Sequence, residues 1–202
     1  MTQSEFYRGV EQAQQAMRAG SNDAHAKVAA VAARLDSLVA NTTTSALRAC
    51  RDGCAHCCRH PVGVTLPEAL AIVATIAKLP AALRESLTAR IRQSASNTAK
   101  LTWEQLGHLP CPLLEAERCL LYAVRPLPCR AFASLDATAC ATPSPLGIPI
   151  DSEAFLIGLG AVSALQAGGP EPRELRAALT ALFSTVGPDA DSAFGRARVS
   201  GT

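Results

Sequence analysis

The sequence predicts a small, mostly α-helical domain built around a cysteine-rich loop core, with minor β structure at most. Apolar residues form 49% of the 202-residue chain, but aromatic residues only 4%, which favours helices packed through small side chains over a strand-rich sandwich. Several segments repeat apolar residues at helical spacing, and no segment alternates strands with helices. All eight cysteines lie in the middle of the chain.

Residues 1–49 are predicted to form an N-terminal helical hairpin extension. Apolar residues at three- and four-residue steps indicate a helix from 22 to about 39, with Asn22 or Asp23 as its N-cap. A shorter amphipathic segment precedes it and ends at Gly20, so the two can pair as an antiparallel hairpin. The apolar positions of the two helices are Phe6, Val10, Ala13 and Met17, and Val28, Val31, Leu35 and Leu38.

Residues 50–140 are predicted to be a cysteine-cluster metal-binding domain that also contains two helices. Thr65 and Glu68 have the spacing of a capping box, so one helix begins there. Another follows Pro80 and is expected to end at the polar run 94–97. Any β structure is expected near residues 62–64.

Residues 141–186 are predicted to contain two C-terminal helices that pack on the cysteine domain. A proline-rich loop at 141–145 leads to a helix over 151–167, which the run Gly168-Gly169-Pro170 ends. A last helix is expected from Glu171 to about Thr185, and residues 187–202 are expected to be a flexible tail.

The bulk composition argues against several classes of function. The net charge is only +2 and the basic residues are dispersed, which predicts no nucleic-acid partner. The longest apolar stretch, residues 154–167, is shorter than the roughly 20 residues of a membrane-spanning helix. The N-terminus has no secretory signal pattern, so we expect a cytoplasmic protein with reduced cysteines.

The cysteines form two blocks whose spacing is typical of metal ligands. Thiolates two or three residues apart can wrap a single ion, and Gly53 permits the tight turn that this needs. All eight cysteines are therefore predicted ligands, and the metal stays open among zinc, iron and an iron–sulfur cluster. The first block contains Cys50, Cys54, Cys57 and Cys58, and the second Cys111, Cys119, Cys129 and Cys140.

Polar and aromatic residues beside the cysteines have predicted supporting roles. Arginines can offset the thiolate charge, and a histidine can replace a sulfur, although a histidine outside the ligand set is commoner. Glu115 is expected to form an ion pair with Arg118, Arg125 or Arg130. Tyr122 and Phe132 are expected to pack in the core. Asp136 is expected to cap a helix or to lie in a turn. The remaining arginines are Arg48, Arg51 and Arg59, and the histidines are His56, His60 and His108.

The combined pattern resembles the bacterial cysteine-cluster proteins of the YkgJ type, which share a CxxCxxCC zinc- or iron-chelating domain. The family pattern is C-x3-C-x2-C-C, a helix marked by proline or glutamate, C-P-F-L-(D/E), C-x-I-Y-x-x-R-P-x-x-C-R-x-F and a final cysteine. The matching pieces are 50–58, Pro67-Glu68, 111–115, 119–132 and Cys140. Leu113, Leu121 and Arg118 depart from it, and no ligand is lost.

The resemblance implies metal binding, and the sequence shows no catalytic constellation. We therefore expect a metal-binding protein rather than an enzyme, with the metal ion as its partner and a protein partner left open. Two alternatives remain. One is an iron–sulfur-dependent enzyme of a methylase-like or redox kind, and the other is a thiol redox sensor that uses the adjacent Cys57 and Cys58.

Overall fold

The computed structural model describes residues 2–20, 23–51, 53–142 and 147–185, and helices account for most of them. The predicted mostly α fold class is confirmed, with minor β structure in four two-residue strands. The helices are α1 (Thr2–Ala19), α2 (Ala24–Ala40), α3 (Leu66–Ala77), α4 (Ala81–Thr98), α5 (Leu127–Ala131), α6 (Ala137–Ala141), α7 (Ser152–Gln166) and α8 (Leu175–Thr185). The strands are β1 (Gly63–Val64), β2 (Leu114–Glu115), β3 (Arg118–Cys119) and β4 (Arg173–Glu174).

The predicted strand near residues 62–64 is present, and its partner lies far along the chain. β1 pairs antiparallel with β4, and the Leu175 N–H donates to the Val62 carbonyl at 3.0 Å. The last helix therefore begins at Leu175, and the prediction that it begins at Glu171 was wrong because that segment is extended against β1.

Side-chain caps fix the starts of three predicted helices. Asp23 caps α2 by accepting the Ala26 N–H at 2.7 Å, and Asp151 caps α7 by accepting that of Ala154 at 3.0 Å. The capping box of Thr65 and Glu68 begins α3 as predicted. The predicted end of the helix after Pro80 was wrong, because α4 continues through the polar run 94–97 to Thr98.

The helices enclose two buried apolar clusters. The first core joins α1, α2, α5 and α7, and the second joins α3, α4 and α8 to the segment 111–121. The first core contains Leu35, Leu127, Ala131, Ile157 and Leu165 among others. The second contains Ile72, Ile76, Leu113, Leu121 and Leu179 among others.

Helices α1 and α7 pack through glycines at close range. A Cβ atom on Gly9 would collide with the Ile157 carbonyl oxygen, and one on Gly160 with that of Phe6. The N-terminal helices thus share a core with α5 and α7. The domain boundaries at 49, 140 and 186 stay predictions, and the predicted tail and the alternative cap Asn22 lie outside the described residues.

Among the helices that the structure describes, none has both the length and the apolar character that crossing a membrane requires.

Candidate metal centre

Cys111 and Cys119 lie at the open end of a β-hairpin. β2 and β3 pair so that Leu114 is opposite Cys119, and the two-residue turn Ala116-Glu117 has positive φ at both positions, 46° and 58°. The apolar side chains of Leu113 and Leu121 fix the hairpin to the second core. The hairpin therefore brings two thiols that are eight residues apart onto one edge of that core.

Each hairpin cysteine accepts a backbone hydrogen bond from the residue two positions later. The Leu113 N–H bonds the sulfur of Cys111, and the Leu121 N–H bonds that of Cys119. Such bonds favour the thiolate, but desolvation by burial outweighs them and raises the pKa of both thiols, that of Cys111 to about 11. The two residues thus share one local geometry that suits a negatively charged sulfur.

Cys129, which lies on helix α5, is the third member of a group with Cys111 and Cys119. Cys129 is exposed as a whole residue, but the surrounding protein desolvates its thiol and raises the pKa of that thiol, and the thiols of Cys111, Cys57 and Cys119 raise it further. Cys111, Cys119 and Cys129 are called the hairpin thiols below.

Glu68 holds the helix that carries Cys129. Its buried carboxylate accepts the Leu127 N–H at 2.7 Å and also bonds the Thr65 backbone N–H and hydroxyl. Burial raises the pKa of Glu68 despite these bonds. One carboxylate therefore begins both α3 and α5, and it sets where Cys129 lies relative to the second core.

Cys50, Cys54 and Cys140 form another group, called the loop thiols below. The Ala49 N–H donates to the Ser134 carbonyl at 2.9 Å, and the Ser134 N–H donates to the Cys50 sulfur at 3.3 Å. Asp136 caps the short helix α6 that carries Cys140, as its predicted capping role required. Burial raises the pKa of Cys140, the Ser134 hydroxyl opposes this, and Cys50, Cys54 and Cys57 raise it further.

The adjacent Cys57 and Cys58 lie between the two groups, in the 3₁₀ turn His56–Arg59. Their side chains are hydrogen-bonded to each other, which together with burial raises the pKa of Cys57. The Cys111 N–H donates to the Cys58 carbonyl at 2.8 Å, and this ties the turn to the hairpin. We call these two residues the vicinal pair.

All eight cysteines are thiols and belong to one connected network of electrostatic neighbours. In the described part of the chain, no three His, Cys, Asp or Glu side chains have the mutual arrangement of a finished metal site. The donor set is nevertheless that of a thiolate metal centre, since it consists of soft sulfurs from several chain segments that are electrostatic neighbours. The residues present fit zinc or iron.

The arginines near the cysteines are mostly paired with carboxylates. Arg48 bonds Asp151 at 2.7 Å, and Arg125 and Arg130 both bond Asp36. The positive charge of Arg125 partly opposes the rise in the pKa of Cys119 that burial causes. Sequence reasoning missed Arg176, a buried side chain 65 residues beyond Cys111 that lowers the pKa of that thiol, because nothing local links the two.

Three of the predicted supporting roles need correction. Glu115 pairs with Arg90 of α4 at 4.0 Å, because the hairpin directs it toward that helix. Tyr122 is 63% exposed and lies against the Arg125 guanidinium at 3.9 Å, so it does not pack in the core. Phe132 is half-buried with its ring 6.4 Å from that of His60, and it belongs to neither of the two buried clusters.

His60 directly follows the 3₁₀ turn His56–Arg59 and lies beside His108. The His60 and His108 rings are 6.4 Å apart, and burial together with His108 lowers the pKa of His60. His56 lies in the same turn as the vicinal pair. Their role as ligands stays a prediction.

The cysteine-containing segment is similar to a known protein family. Residues 49–145 match the family model CxxCxxCC, described as a "putative zinc- or iron-chelating domain". Residues 49–145 are therefore similar to this domain. The match supports metal binding and covers all eight cysteines. No curated protein and no solved structure matches the chain.

The matched segment contains both thiol groups, the vicinal pair and the short helices α5 and α6. Elements on both sides of the matched segment complete its surroundings. Asp36 of α2 anchors Arg125 and Arg130, and Asp151 at the start of α7 anchors Arg48. The helices outside the match therefore hold the arginines that flank the cysteines.

Proposed function

We propose that this chain is a metal-binding protein of the YkgJ type, whose cysteine thiolates hold zinc or iron in a reducing compartment such as the bacterial cytoplasm. The observation that carries the proposal is the thiol network: eight sulfurs from four chain segments are electrostatic neighbours. Zinc and iron both take sulfur ligands, and a bound ion would cross-link these segments.

The electrostatics of the network support the same proposal. Several sulfurs crowd together, and the pKa values of Cys57, Cys111, Cys119, Cys129 and Cys140 are all raised. A divalent ion removes the repulsion between neighbouring thiolates, and its binding displaces the thiol protons. The chain therefore gains stability from the ion and releases acid when it binds.

Elemental analysis of protein purified without oxygen and without an affinity metal tests this function. We expect zinc or iron at one or more ions per chain, with a matched preparation of Thr138→Ser, an exposed position on α6, giving the same content. A visible absorption spectrum and a sulfide assay on the same samples distinguish zinc from an iron–sulfur cluster. Iron with sulfide would favour the redox or enzymatic alternative.

Reconstitution provides the second half of the test. Metal-depleted protein should bind added zinc, release protons and become protected against thiol alkylation. Protein that contains no metal, takes up none on reconstitution and leaves its thiols open to alkylation would overturn the proposal.

A further inference from the structure

The hairpin thiols are connected to one another without help from the loop thiols. The β2–β3 pairing and the Leu114 N–H bond to the Cys111 carbonyl, at 3.0 Å, fix Cys111 and Cys119 together. Cys129 has Cys111 and Cys119 as electrostatic neighbours, together with Cys57. These three thiols and one thiol from the vicinal pair make a set of four.

The loop thiols are connected by a separate piece of backbone. The Ser134 carbonyl accepts the Ala49 N–H, its N–H donates to Cys50, and its hydroxyl donates to the Asp136 carbonyl at 2.7 Å, at the cap of the helix that carries Cys140. The thiol neighbours of Cys140 are Cys50, Cys54 and Cys57. With one member of the vicinal pair, this is also a set of four.

The vicinal pair is placed to serve both sets. It lies in a 3₁₀ turn with about three residues per revolution, so the two side chains leave the backbone in different directions, although their thiols are hydrogen-bonded to each other. Cys57 is an electrostatic neighbour of Cys119 and Cys129 and also of Cys140. Helix α6 also packs against this turn.

We propose that the domain holds two metal ions at two four-thiolate sites, a hairpin site with Cys111, Cys119 and Cys129 and a loop site with Cys50, Cys54 and Cys140, to each of which the vicinal pair gives one ligand. This inference rests on the proposed function. A thiolate zinc site takes four ligands, so eight thiols fill two sites. The vicinal pair is the boundary between them.

Zinc stoichiometry tests the division. Metal-depleted protein is reconstituted with zinc alone, freed of loose metal by a weak chelator, and analysed for zinc per chain. We expect two ions in the wild type and in the control Thr138→Ser, one in Cys119→Ser, one in Cys140→Ser, and none in the double variant. Cobalt in place of zinc should give each single variant half of the wild-type tetrathiolate absorption.

The possible results separate the two proposals. One ion per chain in the wild type, or loss of both ions in each single variant, would overturn the two-site division and leave metal binding standing. No zinc in the wild type would overturn the proposed function itself. These outcomes do not overlap.

A second measurement avoids variants that fail to fold. Wild-type zinc protein is treated with a graded chelator, alkylated, and mapped by mass spectrometry. We expect a one-zinc intermediate in which Cys50, Cys54, Cys140 and one of the vicinal pair are modified together while the hairpin thiols are protected. Modification of Cys119 and Cys140 in the same step, with no one-zinc species, would contradict the proposal.

Discussion

The hairpin thiols and the loop thiols are supported by different parts of the chain. Cys111 and Cys119 each take a hydrogen bond from a backbone N–H two residues later, so their environment is built locally. Cys50 and Cys140 depend on Ser134, which is 84 residues from Cys50. A local support forms with the hairpin, whereas a long-range support requires the fold around it to be complete.

The two groups also differ in what anchors them to the cores. The hairpin thiols rest on the second core, and Glu68 fixes α5 through the Leu127 N–H. The loop thiols rest on the buried carboxylate of Asp151, which holds Arg48, two residues before Cys50. One carboxylate therefore supports each group, and substitutions can weaken one group while leaving the other.

Asp151→Ala should have the largest effect, on the loop side. Asp151 is completely buried, caps α7 and bonds both Arg48 and Thr42. Its loss leaves a partly buried guanidinium without its partner, so we expect the free energy of unfolding to fall by about 3 kcal/mol. Asp23→Ala, which removes an exposed cap, should cost about 1 kcal/mol in chemical denaturation and leave zinc content unchanged.

The contribution of Asp151 to stability should also depend on pH. Burial opposes ionisation of Asp151, but bonds from Ala154, Thr42 and Arg48 outweigh it and lower its pKa. Its stabilising contribution is therefore complete above the ordinary aspartate pKa, about 4, and is lost as pH falls through the lower folded value. The stability difference between wild type and Asp151→Ala should narrow below about pH 4, and a constant difference down to acid unfolding would contradict this.

Glu68→Ala should have the next largest effect, on the hairpin side. The variant leaves the buried N–H groups of Leu127 and Thr65 without their acceptor, so we expect a loss of about 2 kcal/mol in the free energy of unfolding. In the chelator experiment the hairpin thiols should become reactive earlier than in the wild type. Glu85→Ala, at an exposed position of α4, should change neither quantity; earlier release of the loop thiols instead would contradict the assignment.

The sequence predicts the elements that have long periodic faces and side-chain caps. The repeat through Leu35 and the capping box at Thr65 and Glu68 both correspond to real helices. Helices α5 and α6 were missed because five residues are too few to show a period. The polar run 94–97 was mistaken for a helix end because a solvent-facing helix surface and a loop have similar composition.

The eight cysteines were predicted as one set of candidate ligands. Their arrangement in hairpin thiols, loop thiols and the vicinal pair could not be predicted from the sequence. Cysteine spacing identifies all eight candidates, but it does not say which of them share a neighbourhood. The hydrogen bond between Ser134 and Cys50 and the electrostatic effect of Arg176 on Cys111 depend on tertiary packing, and no local pattern marks them. The hairpin was also hidden, since Ala116-Glu117 lacks the Asn-Gly sequence that such a turn favours.

Ser134→Ala should have a smaller effect, confined to the loop thiols. The variant keeps the backbone N–H bond to Cys50 and removes the hydroxyl, which donates to the Asp136 carbonyl at 2.7 Å, accepts the Asp136 N–H at 3.0 Å and opposes the rise in the pKa of Cys140. We expect about 1 kcal/mol less stability and faster release of one zinc ion. Ser184→Ala on α8 serves as the control, and faster release of both ions from Ser134→Ala would argue for one shared centre.

The smallest effect should come from relieving the hairpin turn. Ala116 and Glu117 both have positive φ, which costs energy for residues with a Cβ atom, and Asn-Gly suits such a turn better. The Arg59 ion pair lost with Glu117 is exposed and worth little. Ala116→Asn combined with Glu117→Gly should therefore raise the free energy of unfolding by about 0.5–1 kcal/mol. The double variant should also slow zinc release from the hairpin site, because only the hairpin thiols depend on this turn. The loop site should release zinc at the wild-type rate. Equal slowing of both releases would mean that the two groups of thiols are not independent.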